Sequence, residues 1–277
     1  MSETVKRYYD DSVEREWLRL EQPYSKVEWL STLRLMDRYL PDTGHICDIG
    51  SGPGRYAVEL LQQGYRVTLM DLSARELALA EQEIGKLGLQ AEAYICEDAR
   101  NLHLLEADQY EGALVLGPLY HILEEEQRLQ VIRQTAGILK ADGVALFSYI
   151  NSWGVLKAGV TEFSESYRDP EQIYGYLREQ KLDDNRGFTE SYFTIPGKAL
   201  EEVRAGGFDI LSYAGAESFL AGMSAEVTRL YREDRQVYDN LLQAASETSE
   251  APQYRESTEH LIIVARKKAA SLEHHAW

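Results

Sequence analysis

A glycine-rich segment lies where a short apolar run gives way to a helical pattern. The run His45–Ile49 predicts a strand, residues 50–54 follow with the spacing G-x-G-x-G, and a helix is predicted from Arg55 to Gln63. Glycines between a strand and a helix allow a ligand to lie directly on the backbone. Asp48 comes just before them and supplies negative charge. The segment therefore predicts a ligand site suited to a cation.

The spacing of nearby residues narrows the kind of ligand. A dinucleotide fingerprint would place its third glycine at position 55, where this chain has Arg55. Asp71 ends the second predicted strand, 21 residues after Gly50, and can accept hydrogen bonds from both hydroxyls of a ribose. Asp98 ends the third predicted strand and can accept a hydrogen bond from an adenine amino group. Either aspartate can instead cap a helix, but three acidic strand ends on one side of a parallel sheet favour one adenosyl ligand.

These motifs resemble those of class I S-adenosylmethionine-dependent methyltransferases, closely over about residues 39–150 and more loosely to residue 266. The resemblance implies that the segment from Asp48 to Gly54 holds the methionine moiety, that Asp71 holds the ribose and that Asp98 faces the adenine. It makes S-adenosyl-L-methionine the expected cofactor. The residues that we assign to its site are Asp48, Gly50, Ser51, Gly52, Gly54, Asp71, Leu72, Asp98, Ala99 and Leu116.

The segment Leu116–His121 follows the fourth predicted strand, where the activated methyl group is expected. It resembles the small-molecule branch of the family and departs from the Asn/Asp-Pro-Pro-Tyr motif of enzymes that methylate nucleic acid bases. We take Tyr120 and His121 as catalytic candidates, since an imidazole there can remove a proton from the acceptor. The alternative is a packing histidine, because methyl transfer by direct displacement mainly requires alignment. The substrate candidates are Tyr149, Asn151 and Trp153.

Alternating strands and helices predict the fold that positions these residues. We expect a doubly wound α/β fold with a mostly parallel, seven-stranded, Rossmann-like sheet. Ser73, with Glu76 three residues on, predicts a capping box for the helix after the second strand. The predicted parts are an N-terminal helical cap (1–40), a cofactor-binding core (41–150), a substrate-covering insertion (151–196), a C-terminal completion of the sheet with a helical excursion (197–268) and a tail (269–277).

Aromatic residues are dense in the N-terminal region and in the insertion. They either wall a substrate pocket or form the small core of a lid. The insertion is longer than the ~12–15 residues of an ordinary structureless loop, which favours a substrate-covering role. These aromatic residues are Tyr8, Tyr9, Trp17 and Tyr24, and then Trp153, Phe163, Tyr167, Tyr174, Tyr176, Phe188, Tyr192 and Phe193.

Composition limits the partners and the compartment. The net charge is −17, and the acidic residues are scattered, which disfavours nucleic acid and anionic membranes as partners. The sequence shows neither a signal peptide nor a membrane span, so we expect a cytoplasmic monomer or homodimer that acts on a small molecule. Cys47 and Cys96 fall in strands predicted to be buried and separated by the second strand, so we expect reduced thiols.

Three functions are compatible with these motifs. The first is methyl transfer from S-adenosylmethionine to an oxygen or nitrogen of a small molecule. The second is a non-catalytic S-adenosylmethionine-binding regulator or partner subunit, and the third is an NAD-dependent oxidoreductase, which Arg55 disfavours. Binding assays with S-adenosylmethionine and NAD distinguish the oxidoreductase from the methyltransferase.

Overall fold

The central sheet is built from strands that alternate with helices along the chain. The computed structural model describes residues 2–183 and 189–269. Within these residues the sheet has nine strands, and the path along it is β3-β2-β1-β4-β5-β7-β6, with β9 pairing with β5 and β8. The strands are β1 (His45–Ile49), β2 (Arg66–Asp71), β3 (Ala93–Cys96), β4 (Tyr110–Val115), β5 (Leu139–Asn151), β6 (Gln180–Leu182), β7 (Ser191–Thr194), β8 (Phe208–Gly215) and β9 (His260–Lys267).

Helices cover both faces of this sheet. Side chains of α3, α4 and α5 form one buried layer with alternate residues of the strands, and those of α6 and α9 form the other. The helices are α1 (Glu3–Asp10), α2 (Val13–Arg19), α3 (Ser25–Tyr39), α4 (Arg55–Gln62), α5 (Ala74–Lys86), α6 (Glu125–Ile138), α7 (Ser152–Glu162), α8 (Pro170–Tyr176), α9 (Pro196–Ala205), α10 (Ser224–Glu233), α11 (Arg235–Glu247) and α12 (Pro252–Arg255). The predicted doubly wound, mostly parallel fold is confirmed.

The sheet differs from the prediction in its number of strands. The two additional strands are β6 and β7, an antiparallel hairpin within the predicted insertion. The pairing of β4 with β5 ends at Phe147 of β5. Further along β5, Ile150 and Asn151 pair in parallel with β7. Segments of three and four residues are too short to show an alternating pattern in the sequence. They nevertheless extend the sheet behind the segment that carries Tyr120 and His121.

The cysteines are both free, as expected. β2 lies between the strands that carry them. Cys47 is buried, but Cys96 is exposed, so the prediction that both are buried is wrong. The reason is that β3 is the edge strand and lacks a neighbour on one side. Every helix in the described part of the chain is too short or too polar to cross a membrane.

Candidate active site

A cavity of about 350 Å³ opens at the carboxyl ends of β1, β2 and β4. Its floor is the glycine turn after β1 together with Asp71 and Leu72 at the end of β2. One wall is the segment from Leu116 to His121, and α1 and α2 form the roof. This is the edge of a parallel α/β sheet at which ligands usually bind. The sequence motifs from three separate strands are thus brought together around one space.

The glycine turn adopts a conformation that requires glycine. Gly50, Gly52 and Gly54 have φ values of 72°, 51° and 81°, which lie in the left-handed region. A Cβ at Gly50 would stand 2.5 Å from Cδ of Pro118, so the turn packs directly on the segment that carries His121. Gly54 instead packs on Ala80 and Leu69 at the N-cap of α4, and it does not line the cavity.

Asp71 is fixed by backbone donors from both sides of the cavity floor. Its Oδ2 accepts a hydrogen bond of 2.8 Å from the Gly52 amide, and its Oδ1 accepts one of 2.8 Å from the Ser73 amide. Each carboxylate oxygen can accept a further bond, because it has two lone pairs. The carboxylate is therefore held in one orientation while it keeps the capacity to accept hydrogen bonds from ligand hydroxyls.

Asp48 is buried beneath the glycine turn. Its Oδ2 has no hydrogen-bond partner within the described residues. Burial, together with the nearby Asp71, raises the pKa of Asp48 to about 7. A buried carboxylate without a partner is unfavourable unless a proton or a cation compensates it. The chemistry of this position therefore fits a cationic ligand, as the sequence predicted.

Glu76 is a second buried acid on the cavity wall, although the sequence predicts it only as part of a capping box. Ser73 Oγ does accept a 3.1 Å hydrogen bond from the Glu76 amide. The Glu76 carboxylate does not accept a hydrogen bond from the Ser73 amide in return, because the Ser73 amide already donates to Asp71. Both carboxylate oxygens of Glu76 lack partners among the described residues, and burial followed by repulsion from Asp71 raises its pKa to about 9.

His121 lies in the wall of the cavity opposite these acids. Its Nδ1 is 3.0 Å from the carbonyl oxygen of Glu190, which can only accept, so we assign the ring proton to Nδ1. Nε2 then carries a lone pair, and it lies 2.7 Å from the Tyr9 hydroxyl. Burial lowers the pKa of His121 to about 4, so the ring is neutral near pH 7. Tyr120 also lines the cavity, and its hydroxyl donates to the Leu116 carbonyl at 3.3 Å.

The roof of the cavity comes from the N-terminal helices. Tyr8 and Tyr9 line the cavity, whereas Trp17 and Tyr24 do not. Arg19 also lines it and forms a pair with Glu28 at 2.7 Å. The sequence predicts an aromatic wall here, but it does not predict the place of Arg19 in the cavity. Nothing local marks this arginine, since its partner and the cavity are brought to it only by the tertiary fold.

His260 closes the cavity on the side of β9, where it pairs in register with Ile150 of β5. Its Nδ1 lies 2.6 Å from Glu217, and Glu28 is 3.9 Å away. Burial lowers the pKa of His260, but Glu28 and Glu217 outweigh this effect and raise it to about 9. The cavity thus holds one neutral and one charged imidazole. The sequence gives no local sign that His260 belongs to the site.

Several predicted site residues lie away from the cavity. Asp98 accepts hydrogen bonds from the backbone and the guanidinium of Arg100, and its neighbour Ala99 is buried. The Tyr149 hydroxyl donates to Glu202 in the core at 3.2 Å. None of these three residues lines the cavity. The contacts that these residues make are core or capping contacts, and their roles at the ligand stay predictions.

The other two substrate candidates also lie outside the cavity lining. Asn151 caps α7 by accepting from the Trp153 amide at 3.1 Å, and the Trp153 indole donates to the Leu177 carbonyl at 3.4 Å. Within the described residues, the predicted insertion contributes no side chain to the cavity lining. Its aromatic residues instead pack on one another, as Phe163, Tyr167 and Tyr176 do. Phe188 lies outside the described residues.

Comparisons with known proteins find methyltransferases among the similar sequences. A family model described as a methyltransferase domain matches residues 46–143. Carboxy-S-adenosyl-L-methionine synthase of Desulfotalea psychrophila is 25% identical over 205 residues, which are 72% of this chain and 74% of the relative. The tRNA 5-carboxymethoxyuridine methyltransferase of Escherichia coli K12 is 25% identical over 175 residues, which are 55% and 65% of the two chains. The chain spans little more than half the length of three other curated relatives, at 51%, 54% and 57%.

Solved structures extend the likeness to most of the chain. One is the 1,6-didemethyltoxoflavin-N1-methyltransferase of Burkholderia thailandensis, solved with bound 1,6-didemethyltoxoflavin and S-adenosylhomocysteine. It superposes with a TM-score of 0.58 at 14% identity, and the match covers 96% of this chain and 88% of that one. At this identity the likeness supports the fold alone.

Proposed function

Since this chain belongs to the class I S-adenosylmethionine-dependent methyltransferases, we propose that it transfers a methyl group to an oxygen or nitrogen of a small-molecule acceptor. The observation that carries the proposal is the single cavity shared by the glycine turn, the two acids Asp48 and Asp71, and His121. These groups supply a cofactor site and an adjacent proton acceptor. When bound, S-adenosylmethionine supplies an electrophilic methyl group on a sulfonium.

The residues of the cavity floor fit this cofactor. Asp48 has an oxygen that needs a positive or hydrogen-donating partner, and the ammonium of the methionine moiety provides one. Asp71 is oriented by Gly52 and Ser73 and accepts hydrogen bonds from the ribose hydroxyls. Leu72 and Leu116 supply apolar surface for the adenine. We propose that these contacts fix the direction in which the methyl group faces the acceptor.

His121 supplies the proton-accepting group of the proposed reaction. Its imidazole is neutral near pH 7 because burial lowers its pKa, and Nε2 carries the lone pair. A positioned neutral imidazole can take the proton that an alcohol or amine loses as it becomes methylated. Tyr120 is the second catalytic candidate, but its hydroxyl is turned to the Leu116 carbonyl and acts in the proposal as part of the acceptor wall.

Two observations favour a small acceptor over a nucleic acid. The cavity lies beneath α1 and α2, and its volume of about 350 Å³ is in the range of sites that bind small molecules. The chain also carries a net charge of −17, which repels a phosphate backbone. We further propose that the protein works in the cytoplasm as a monomer or homodimer, consistent with its two free cysteines.

Calorimetric titration with S-adenosylmethionine, S-adenosylhomocysteine and NAD tests the cofactor assignment. We expect the two adenosyl ligands to bind and NAD not to bind. Asp71→Ala should weaken binding roughly 100-fold, since it removes about 3 kcal/mol of hydrogen bonds to a charged group. Asp209→Ala is the matched control, because Asp209 is an exposed acid on β8. Equal binding by the wild type and Asp71→Ala would contradict the assignment.

An acceptor panel then tests the reaction itself. Purified protein is incubated with S-adenosylmethionine and small phenols, carboxylic acids, amines or bulk tRNA, and formation of S-adenosylhomocysteine is measured. Turnover with a small molecule supports the proposal. Turnover with tRNA alone would contradict the small-molecule assignment. Cofactor binding without turnover in any arm would favour the non-catalytic binding protein.

A further inference from the structure

The hydrogen bond between Tyr9 and His121 joins the N-terminal roof to the proposed proton acceptor. The Tyr9 hydroxyl lies 2.7 Å from Nε2 of His121, and the two rings meet edge to face with centroids 5.4 Å apart. Because Glu190 accepts from Nδ1, Tyr9 must be the donor to Nε2. An imidazole nitrogen has only one lone pair in the ring plane. While Tyr9 is in this position, an acceptor molecule cannot bond directly to Nε2.

The residue after Tyr9 fastens the same helix to the cofactor side of the cavity. Asp10 Oδ1 accepts a 2.5 Å hydrogen bond from Ser73 Oγ, and the Ser73 amide donates to Asp71. Two consecutive residues of α1 therefore contact the proton acceptor and the turn that orients the ribose carboxylate. Movement of α1 would change both halves of the site together.

The roof helices bury few apolar side chains completely, although Trp17 of α2 packs against the core. Val5 is the one buried residue of α1, and α2 has none. The polar contacts of Tyr9 and Asp10 are therefore a large part of what holds α1 down. The cavity lies beneath the two helices, so their outward movement would widen the opening through which a ligand as large as the proposed cofactor enters. A short helix with little buried surface is suited to such movement.

We propose that Tyr9 is a catalytic residue, the group through which His121 takes the proton of the acceptor, and that α1 is the lid that brings it into place. This proposal rests on the methyl transfer proposed above. As the acceptor atom bonds to the methyl carbon and the carbon–sulfur bond breaks, the acceptor's proton passes to the Tyr9 oxygen. The original Tyr9 proton passes to Nε2 of His121. The products are the methylated acceptor, neutral S-adenosylhomocysteine, an intact tyrosine and an imidazolium.

The lid is tested first, with S-adenosylhomocysteine as the probe and no acceptor. Trp29 stacks on Tyr56, which lines the cavity, so tryptophan fluorescence can follow ligand release in a stopped-flow experiment. We expect Tyr9→Phe to release the ligand at least fivefold faster than the wild type. Tyr174→Phe is the control, because this tyrosine is exposed on α8 and should leave the rate unchanged. Equal release rates for Tyr9→Phe and the wild type would overturn the lid.

The hydrogen bond itself is observable by ¹⁵N NMR of the histidine side chains in the complex with S-adenosylhomocysteine. The wild type should show His121 as the Nδ1-protonated tautomer, with Nε2 shifted by an accepted hydrogen bond. His121→Gln identifies the signal, and Tyr9→Phe should move the Nε2 resonance. A resonance that is identical in the wild type and Tyr9→Phe would contradict the contact. Neither this measurement nor the release rate requires turnover, so both are independent of the acceptor assignment.

The relay is tested by turnover of Tyr9→Phe, His121→Gln and the double variant, with the acceptor that the panel identifies. Each single variant should lower kcat at least tenfold and change the Kd for S-adenosylhomocysteine less than kcat. The double variant should be no slower than the slower single variant, because both changes interrupt one proton path. Multiplicative losses in the double variant, or full activity of Tyr9→Phe, would overturn the relay.

Discussion

Burial of Glu76 predicts an unusual dependence of stability on pH. Its carboxylate lines the cavity without a hydrogen-bond partner in the described ranges, and its pKa is raised from 4.5 to about 9. Between these two values the folded protein holds a proton that the unfolded chain has lost. Raising the pH through this window therefore favours unfolding, whereas below about pH 4.5 the effect disappears because both states are protonated. Glu76→Gln removes the titrating group and keeps its size.

The magnitude follows from the linkage relation. One bound proton changes the free energy of unfolding by about 1.4 kcal/mol per pH unit, or at most about 2.7 kcal/mol between pH 6 and pH 8. Because Glu76 borders a cavity that water can enter, we expect the wild type to lose about 1–2 kcal/mol more than Glu76→Gln over this range. For a chain of this size that difference corresponds to a few °C in Tm. Asp48 titrates in both proteins and cancels in the comparison.

Urea unfolding of the unliganded protein at pH 5, 6, 7 and 8 measures this difference. Glu81→Gln is the control, since Glu81 is exposed on the same helix and loses the same charge without burial. Its pH profile should follow the wild type. If the profiles of the wild type and Glu76→Gln also coincide, then Glu76 is ionised and hydrated in the folded protein, and the argument from burial is refuted.

Two further substitutions test the packing that positions the site. Gly50→Ala should weaken S-adenosylhomocysteine binding at least tenfold, as measured by calorimetry, because its Cβ would stand 2.5 Å from Pro118 and its φ is 72°. Gly85→Ala on α5 is the control, since its Cβ would meet open space and the variant should bind normally. Arg128→Leu should lower the free energy of unfolding, measured in urea, by about 3–5 kcal/mol, because it leaves the buried carboxylate of Glu202 without its 2.6 Å partner. The double variant Arg128→Leu with Glu202→Leu should recover part of that loss. Normal binding by Gly50→Ala, or a double variant less stable than Arg128→Leu, would contradict these arguments.

Local patterns predicted the fold well because the core strands are mostly apolar. β1 is buried at all five positions, and its bounds agree with the apolar run seen in the sequence. Ser73 forms the predicted cap of α5. The hairpin of β6 and β7 was missed, since its pairing depends on the side of β5 that β4 leaves uncovered. That information is tertiary and has no local signal.

The difference between local and tertiary information also explains which predicted site residues line the cavity and which do not. Asp48 and Asp71 flank backbone turns that fix their position, so sequence spacing sufficed to bring them together. Tyr149 and Asn151 also end a strand on the expected side. Their side chains are directed by partners far along the chain, which are Glu202 for Tyr149 and the Glu256 carbonyl for Asn151. A strand end therefore predicts proximity to the site but not the direction of the side chain.

The N-terminal region gives the opposite case. Nothing in the spacing of Tyr9 relates it to His121, which is 112 residues away, yet the two are hydrogen-bonded. The sequence did carry a weaker signal, a tyrosine pair in a short helix with little apolar surface. Such a helix cannot hold itself to the protein by burial alone, so its polar residues must find partners or the helix must detach. In this protein those partners belong to the proposed active site, which is why closing the roof and completing the site are one event.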